Sequence, residues 1–266
     1  MSESEILILD SATKFGPDSP GKVAIAASHG AIYAGYLGAR ADLKGIILHN
    51  AGIGRDAAGI SSLPYLDEFT VAAATVDHHS ARIGDGASMA ATGRISHVNE
   101  TARAAGCAPG QSSMECARAM RTAPGCSGTP PPLDEARFFI RDTAGTPRII
   151  GCDSVSLVGP DDAGNIIISA SHGALLKEAP SWGNRPDVLA AVFNDAGSEN
   201  PTRLPDLDTR GIAGATVTAE SARIGDAMST YEDGIISHVN ETARRAGAAP
   251  GITCRAFVDL MTAAKP

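Results

Sequence analysis

The stretch DSATKFGPDSPGKVAIAASHGA at residues 10–31 recurs without a gap as DSVSLVGPDDAGNIIISASHGA at residues 153–174. Further blocks repeat in the same order, among them SARIGD, ISHVNETAR and a closing APG. Because these blocks run through most of the 266 residues, we interpret the chain as a tandem duplication of one unit. Residues 1–120 are predicted to form the first unit and residues 148–266 the second, joined by a linker over residues 121–147 that is rich in Pro and Gly.

Each repeated unit is predicted to alternate strands with helices. VAIAASHG (23–30), GIILHNAG (45–52) and TVAAATV (70–76) are short apolar runs typical of buried strands. The turn signal GPDSPGK before the first of them predicts a hairpin with the preceding run EILILDSA. ISHVNETAR is predicted to be a helix with Ser96 as its N-cap, and the linker to hold a short helix around Asp134–Arg141.

The fold class predicted from this alternation is α/β. Strands separated by helices favour parallel pairing with right-handed crossovers. We therefore expect each unit to be a small, mixed, mostly parallel sheet with helices packed on it. The duplication predicts that the two units are related by a pseudo-twofold axis.

Composition and charge exclude several classes of protein. A hydrophobic content of 43% supports a packed core, and a net charge of −8 argues against binding a nucleic-acid backbone. The start MSESEILILD lacks the features of a signal peptide, and no apolar stretch approaches the length of a membrane span. The five cysteines form no CxxC pair. We expect a cytoplasmic homo-oligomer with free thiols and without nucleic-acid or membrane partners.

Polar residues follow the predicted strands in both units. Ligands of α/β sheets bind beyond the carboxyl ends of the strands, so these residues are expected to line a common rim. A helix that starts after Gly30 or Gly173 would add free N–H groups suited to an anion. The predicted rim residues are Ser28, His29, Asn50, Ser80, Arg82 and Asp85 in the first unit, and Ser171, His172, Asp195, Ser221, Arg223 and Asp226 in the second.

The rim predicts an acid–base site for a small anionic molecule. Histidine transfers protons near neutral pH, so His29 and His172 are the candidate catalysts, helped by Asp195. Arginine clamps carboxylates, so Arg82 and Arg223 are candidate substrate ligands. The remaining predicted substrate ligands are Ser28, Asn50, Ser80, Ser171 and Ser221, with Asp85 and Asp226 as supports for the two arginines.

The function predicted from these groups is hydrolysis of a C–N bond in a small polar metabolite that bears a carboxylate or an amide. No cofactor and no metal are expected. Lyase or isomerase chemistry uses the same groups and is an alternative, as is a binding protein without turnover. GIGRDA at residues 52–57 matches GxGxxA and makes an NAD(P)-dependent oxidoreductase a third alternative, although Gly59 and Pro64 interrupt the segment that follows.

A metal site is a further alternative, and differences between the copies bear on it. The candidate ligands are His29, His49, Asp77, His78 and His79, although no HxH or HxxxH spacing occurs. The second copy has Ala219 and Glu220 where the first has adjacent histidines. The two copies therefore either combine into one asymmetric site or leave one active site and one relic.

Overall fold

The computed structural model describes residues 6–179, 182 and 185–264. The chain divides into two compact units, each of which includes a short segment from a distant part of the sequence. The first unit contains the chain up to Ile53, Ala57–Asp134 and Leu176–Glu178. The second unit contains Gly54–Asp56, Glu135–Leu175 and the chain from Ala179 onward.

The first unit is built on a five-stranded sheet in the order β1-β2-β3-β4-β5. The first four strands pair in parallel, and β5 pairs antiparallel with β4 at one edge. The strands are β1 (Ile6–Leu9), β2 (Val23–His29), β3 (Gly45–His49), β4 (Ala72–Val76) and β5 (Ile95–Val98). The helices are α1 (Ile32–Arg40), α2 (Ser62–Asp67), α3 (Gly86–Thr92), α4 (Glu100–Ala104) and α5 (Ser113–Met120).

Both faces of this sheet are buried, which explains why its central strands are apolar without alternation. Ile25 and Ile47 pack on one face with side chains of α3, α4 and α5, including Met120. Ile46 packs on the other face with side chains of α1 and α2, including Leu66. Only the ends of the strands are left for polar residues.

The second unit is built on a six-stranded sheet in the order β11-β10-β9-β8-β7-β6. Its four inner strands are parallel, and both edge strands are antiparallel to their neighbours. The strands are β6 (Arg137–Arg141), β7 (Ile149–Cys152), β8 (Ile166–His172), β9 (Ala190–Asn194), β10 (Ala213–Val217) and β11 (Ile236–Val239). The helices are α6 (Arg203–Asp208), α7 (Ala227–Asp233), α8 (Glu241–Arg245) and α9 (Cys254–Ala263).

The prediction of an α/β fold with mostly parallel sheets and packed helices is confirmed for both units. Within the described residues, no helix has the combined length and apolar character that a membrane span requires.

The predicted hairpin between β1 and β2 is wrong, because these strands pair in parallel, with Ile6 beside Val23. The side chain of Ser11 accepts a hydrogen bond from the N–H of Thr13 and begins a short 3₁₀ turn. The Gly- and Pro-rich residues that follow therefore belong to a crossover connection and not to a hairpin loop.

The predicted helix over the whole of ISHVNETAR is also wrong. Its first residues form β5 or β11, and a helix begins only after Asn99 or Asn240. The side chain of Asn99 accepts from the N–H of Ala102 at 2.8 Å, whereas Ser96 lies inside the strand. The pairing of β5 with β4 has a register shift between Thr75 and Val76, and Ile95 and Val98 both face the same core, so these apolar residues matched helical spacing and not a two-residue alternation.

The helix predicted around Asp134–Arg141 is a strand, β6, which pairs antiparallel with β7. Aromatic residues favour strands, and Phe138 packs directly over Gly151, where a Cβ would lie 2.6 Å from its ring. The helix expected after Gly173 is not found in the described residues up to β9, and buried Trp182 and Val188 cover that face of the sheet instead.

Candidate functional site

The carboxyl ends of β2, β3 and β4 bring the predicted residues of the first unit to one edge. His29 pairs with His49 across β2 and β3. The loop after β4 crosses these strand ends, because His49 Nε2 donates to the carbonyl of Ala81 at 3.1 Å and the N–H of Gly84 donates to the carbonyl of Ala27 at 2.9 Å. This edge is called the first rim below.

His49 has a structural task that an amide can also perform. Its Nδ1 accepts the N–H of Ala51 at 3.1 Å while Nε2 holds the loop. Asn194, at the matching position in the second unit, makes the same two bonds through its amide, at 2.8 and 3.1 Å. Burial lowers the pKa of His49 to about 4, so its imidazole is neutral at neutral pH.

Asn50 and Asp195 each bind backbone groups of two loops, the loop after their own strand and the loop after the next strand. Asn50 Oδ1 accepts the N–H groups of Gly52 and His78 at 3.1 and 3.0 Å. Asp195 Oδ1 accepts two matching N–H groups at 2.9 and 3.0 Å. Burial raises the pKa of the Asp195 carboxyl above its usual range, although these hydrogen bonds act in the opposite direction.

The four predicted serines all hold backbone groups. Ser28 accepts the N–H of Ala12 in the loop after β1, and Ser171 accepts the N–H of Val155 in the loop after β7, both at 2.9 Å. Ser80 donates to a carbonyl of its own loop at 2.7 Å and accepts the N–H just before β5 at 2.9 Å. Ser221 makes the same pair of bonds, both at 2.9 Å. Their hydroxyls are therefore committed to the loops that frame the strand ends.

Arg82 is an exposed arginine tethered at one point. Its Nη2 donates to Asp85 Oδ2 at 2.8 Å, and 77% of its side chain is exposed. Asp85 Oδ1 also caps α3 by accepting the N–H of Ser88 at 2.9 Å, and Lys177 Nζ lies 3.7 Å from the same oxygen. Burial disfavours ionisation of Asp85, but Arg82, Ser88 and Lys177 outweigh it and hold its pKa below the usual range. Two cations thus share one carboxylate.

Arg223 is held more fully than Arg82. In the second unit its guanidinium binds Asp226 at 3.0 Å and Asp56 at 2.8 Å. Asp226 caps α7 as Asp85 caps α3. Two carboxylates therefore surround one arginine, which leaves less positive potential for a substrate anion than the first unit offers.

His29 differs from the serines, His49 and Asn50 of the first rim, whose hydrogen bonds hold loops. Within the described residues, its buried Nδ1 has no hydrogen-bond partner, while the side chain is partly exposed. Burial lowers the pKa of His29 to about 4, so the imidazole is neutral at neutral pH and is a weak base. His172 ends β8 at the matching place and is 8% exposed.

The loop after β4 carries a group of ligating side chains, Asp77, His78 and His79. One ligand atom from each lies within 4.8 Å of the others. The two imidazole rings stack with centroids 3.9 Å apart and do not diverge as adjacent residues of a strand do.

Backbone strain is concentrated in the segment that follows β3. The residues with positive φ in this segment are Ala51, Gly52, Ile53, Gly54, Asp56 and Ala57. A β-branched residue such as Ile53 at φ 64° is uncommon, and such strain often accompanies functional sites. The matching segment of the second unit has only Ala196 and Gly197 in this region.

The GIGRDA segment does not form the helix start that a dinucleotide-binding turn requires. A 3₁₀ helix over Arg55–Ile60 follows the glycines, and α2 has only six residues. This local structure disfavours the oxidoreductase alternative.

Sequence reasoning missed two kinds of residue. Lys177 joins the first unit beside Asp85 although it follows β8 in the chain, and no local signal could have placed it there. Asn99 and Asn240 were assigned to helix interiors, but each is a buried N-cap that also binds a neighbouring strand. The Asn that directly precedes Glu-Thr in each copy was the available signal.

A cleft of about 410 Å³ lies in the second unit beside α6, β11 and α8, away from His172. Its polar lining includes Glu199, Asp208, His238, Glu241 and Arg244. Comparison of the chain with protein-family models, curated proteins and solved structures finds no match.

Proposed function

We propose that the first rim carries the active site of a hydrolase that cleaves a C–N bond in a small metabolite bearing a carboxylate or an amide. The observation that carries this proposal is His29, a neutral, partly exposed imidazole whose Nδ1 has no partner within the described residues. Contacts to helix or loop backbone account for the other first-rim residues Ser28, His49, Asn50, Ser80 and Asp85. His29 is left as the candidate for proton transfer, which requires that bound substrate raise its lowered pKa toward neutrality.

The proposed roles follow from charge and exposure. His29 accepts a proton from the attacking water and returns it to the leaving nitrogen. Arg82 binds the substrate carboxylate with the guanidinium N–H groups that Asp85 does not occupy, and Lys177 adds positive potential. Asn50 and the strained segment after it shape the wall beside His29.

The second unit is proposed to support the fold without turning over substrate. The charge of Arg223 is balanced by two carboxylates, and Asp195 Oδ1 is occupied by the backbone N–H groups of Gly197 and Ala219. His78 and His79 have no counterpart in the second unit, because Ala219 and Glu220 occupy the matching positions. His172 then serves as a matched control for His29.

We expect His29→Gln to lower kcat/KM by about 10²–10⁴-fold, because that is the range which general acid–base catalysis contributes. The change in kcat/KM is measured by incubating the protein with a panel of small amides, cyclic imides and ureido acids and quantifying the hydrolysis products by mass spectrometry. His172→Gln should keep the activity, and Arg82→Ala should mainly raise KM. A folded His29→Gln protein with full activity would overturn the proposal, whichever substrate the panel identifies. Lyase or isomerase products from the same panel would change the reaction class but not the assignment of His29.

A second candidate function, binding of a small ligand without turnover, is favoured by the cleft of the second unit. Its lining combines His238 and Arg244 with the carboxylates of Asp208 and Glu241. We expect a ligand of this cleft to raise the melting temperature by mass action, and His238→Ala to reduce that rise. His97→Ala, at the matching position of the first unit, is the control. Equal shifts in both variants would place binding elsewhere.

We also propose that the chain arose by tandem duplication, as a cytoplasmic homo-oligomer with pseudo-twofold-related halves. Support for the duplication comes from shared hydrogen bonds, such as those of His49 and Asn194 or of Ser80 and Ser221. Support for the location comes from five cysteines that form no disulfide.

A further inference from the structure

The loop that follows β4 presents three consecutive side chains to one point. Asp77 Oδ1 lies 3.4 Å from His78 Nδ1, and one ligand atom from each of Asp77, His78 and His79 falls within 4.8 Å of the others. Consecutive residues of a strand would point to opposite faces. These three lie in or directly before a turn, which brings their side chains to the same side.

Contacts from neighbouring residues hold this group in place. Asn50 Oδ1 accepts the N–H of His78 at 3.0 Å and lies 3.2 Å from its Nδ1. Asp77 Oδ1 accepts the N–H of His79 at 2.9 Å. Outer contacts of this kind fix the orientation of ligating imidazoles in metal sites.

We propose that Asp77, His78 and His79 bind one divalent transition-metal ion, with zinc as the representative case. Two imidazoles and a carboxylate are the ligand types that zinc prefers, whereas calcium and magnesium prefer oxygen ligands throughout. Three protein ligands leave a coordination position open, as in catalytic zinc sites. This site departs from the expectation that no metal is needed. It does not depend on the proposed hydrolase activity.

The second unit supplies matched replacements for each ligand. Thr218, Ala219 and Glu220 occupy the corresponding positions, and the N–H of Ala219 binds Asp195 as that of His78 binds Asn50. The loop therefore keeps its backbone bonds without the two imidazoles. Asp77→Thr and His78→Ala follow from this comparison, and His79→Ala completes the set because a glutamate at this position could itself bind zinc.

Calorimetric titration of zinc chloride into untagged protein, previously stripped with a chelator, tests the proposal. We expect one zinc ion per wild-type chain and a loss of affinity of at least about tenfold in each of the three variants. His97→Ala, which removes a histidine of β5, should bind as the wild type does. His79 is exposed, so His79→Ala keeps the test decisive even if another variant fails to fold.

Two results would overturn the metal site. One is a wild-type chain that takes up no zinc, and the other is unchanged stoichiometry and affinity in folded His78→Ala and His79→Ala proteins. Because zinc binding is read without substrate, its outcome is separate from that of the hydrolase assay. A chain that binds zinc through these residues but hydrolyses nothing would overturn the proposed function alone.

Discussion

Replacing Asn240 with alanine is expected to lower the free energy of unfolding of the second unit by about 3–6 kcal/mol. Its Oδ1 accepts the N–H groups of Gly214 and Ala243, both at 2.9 Å. Its Nδ2 donates to the carbonyl of Ile212 at 2.8 Å and approaches that of Leu204 at 3.4 Å. The substitution leaves several buried backbone groups without partners, and each costs about 1–3 kcal/mol.

Urea unfolding followed by the fluorescence of Trp182 measures this change, because Trp182 is the only tryptophan of the chain and lies in the core of the second unit. Arg244→Ala, in the same helix, is the control. It removes an exposed ion pair with Glu241 and should cost less than about 1 kcal/mol. Equal midpoints for the two variants would show that the hydrogen bonds of Asn240 do not stabilise the unit.

The carboxamide itself is tested by Asn240→Asp. The carboxylate keeps two acceptors but cannot donate to Ile212, and it is a buried charge facing two carbonyl oxygens. We expect a loss at least as large as that of the alanine variant. Asn99→Ala should produce the corresponding loss in the first unit, where Asn99 binds Ala73 and Val71 in the same way.

The mostly parallel α/β character of both units followed from features that a sequence displays directly. Runs such as GIILH are apolar at every position because helices cover both faces of the sheet. The errors occurred where a local signal had two structural meanings. Asn99 was placed inside a helix because Ile95 and Val98 match helical spacing, while the register shift in the β4–β5 pairing removes the two-residue alternation of a regular strand.

The placement of the candidate residues at the strand ends was predictable from the sequence, whereas their hydrogen bonds were not. His29 ends β2 and Asn50 directly follows β3, as the apolar runs predict. Repetition did not distinguish residues that hold loops from residues that are available for chemistry. Ser28 and Ser80 are repeated because they bind backbone N–H groups, and only hydrogen-bond geometry shows this. The stacking of His78 on His79 depends on a turn that no spacing rule describes.

The second large effect is expected on acidification, where His49 makes the first unit less stable. Its pKa is about 4 in the folded chain, because burial disfavours the imidazolium, against 6.5 for an unperturbed histidine. Below pH 6.5 the unfolded chain therefore binds a proton that the folded chain does not bind. Stability is lost as the pH falls from about 6.5 to about 4, and the loss between pH 7 and pH 5 is about 2 kcal/mol.

His29 is expected to add a loss of similar size, since burial also lowers its pKa to about 4. Glu135 acts in the opposite direction, because burial raises its pKa to about 7 and the folded chain then binds the extra proton. The total change with pH therefore mixes opposing contributions. The contribution of His49 is isolated by comparing the free energy of unfolding of the wild type with that of a single variant at each pH.

His49→Asn is that variant, because Asn194 already performs the same task in the second unit. We expect it to cost about 1 kcal/mol at pH 7 through lost side-chain volume, and to become about as stable as the wild type or more stable at pH 5. Urea unfolding followed by circular dichroism at both pH values gives the difference. Arg103→Ala, a substitution at an exposed site of the first unit, should differ from the wild type by the same amount at both pH values. If His49→Asn did so as well, the imidazole of His49 would be protonated equally in the folded and unfolded chains, and its role as a neutral substitute for an amide would be wrong.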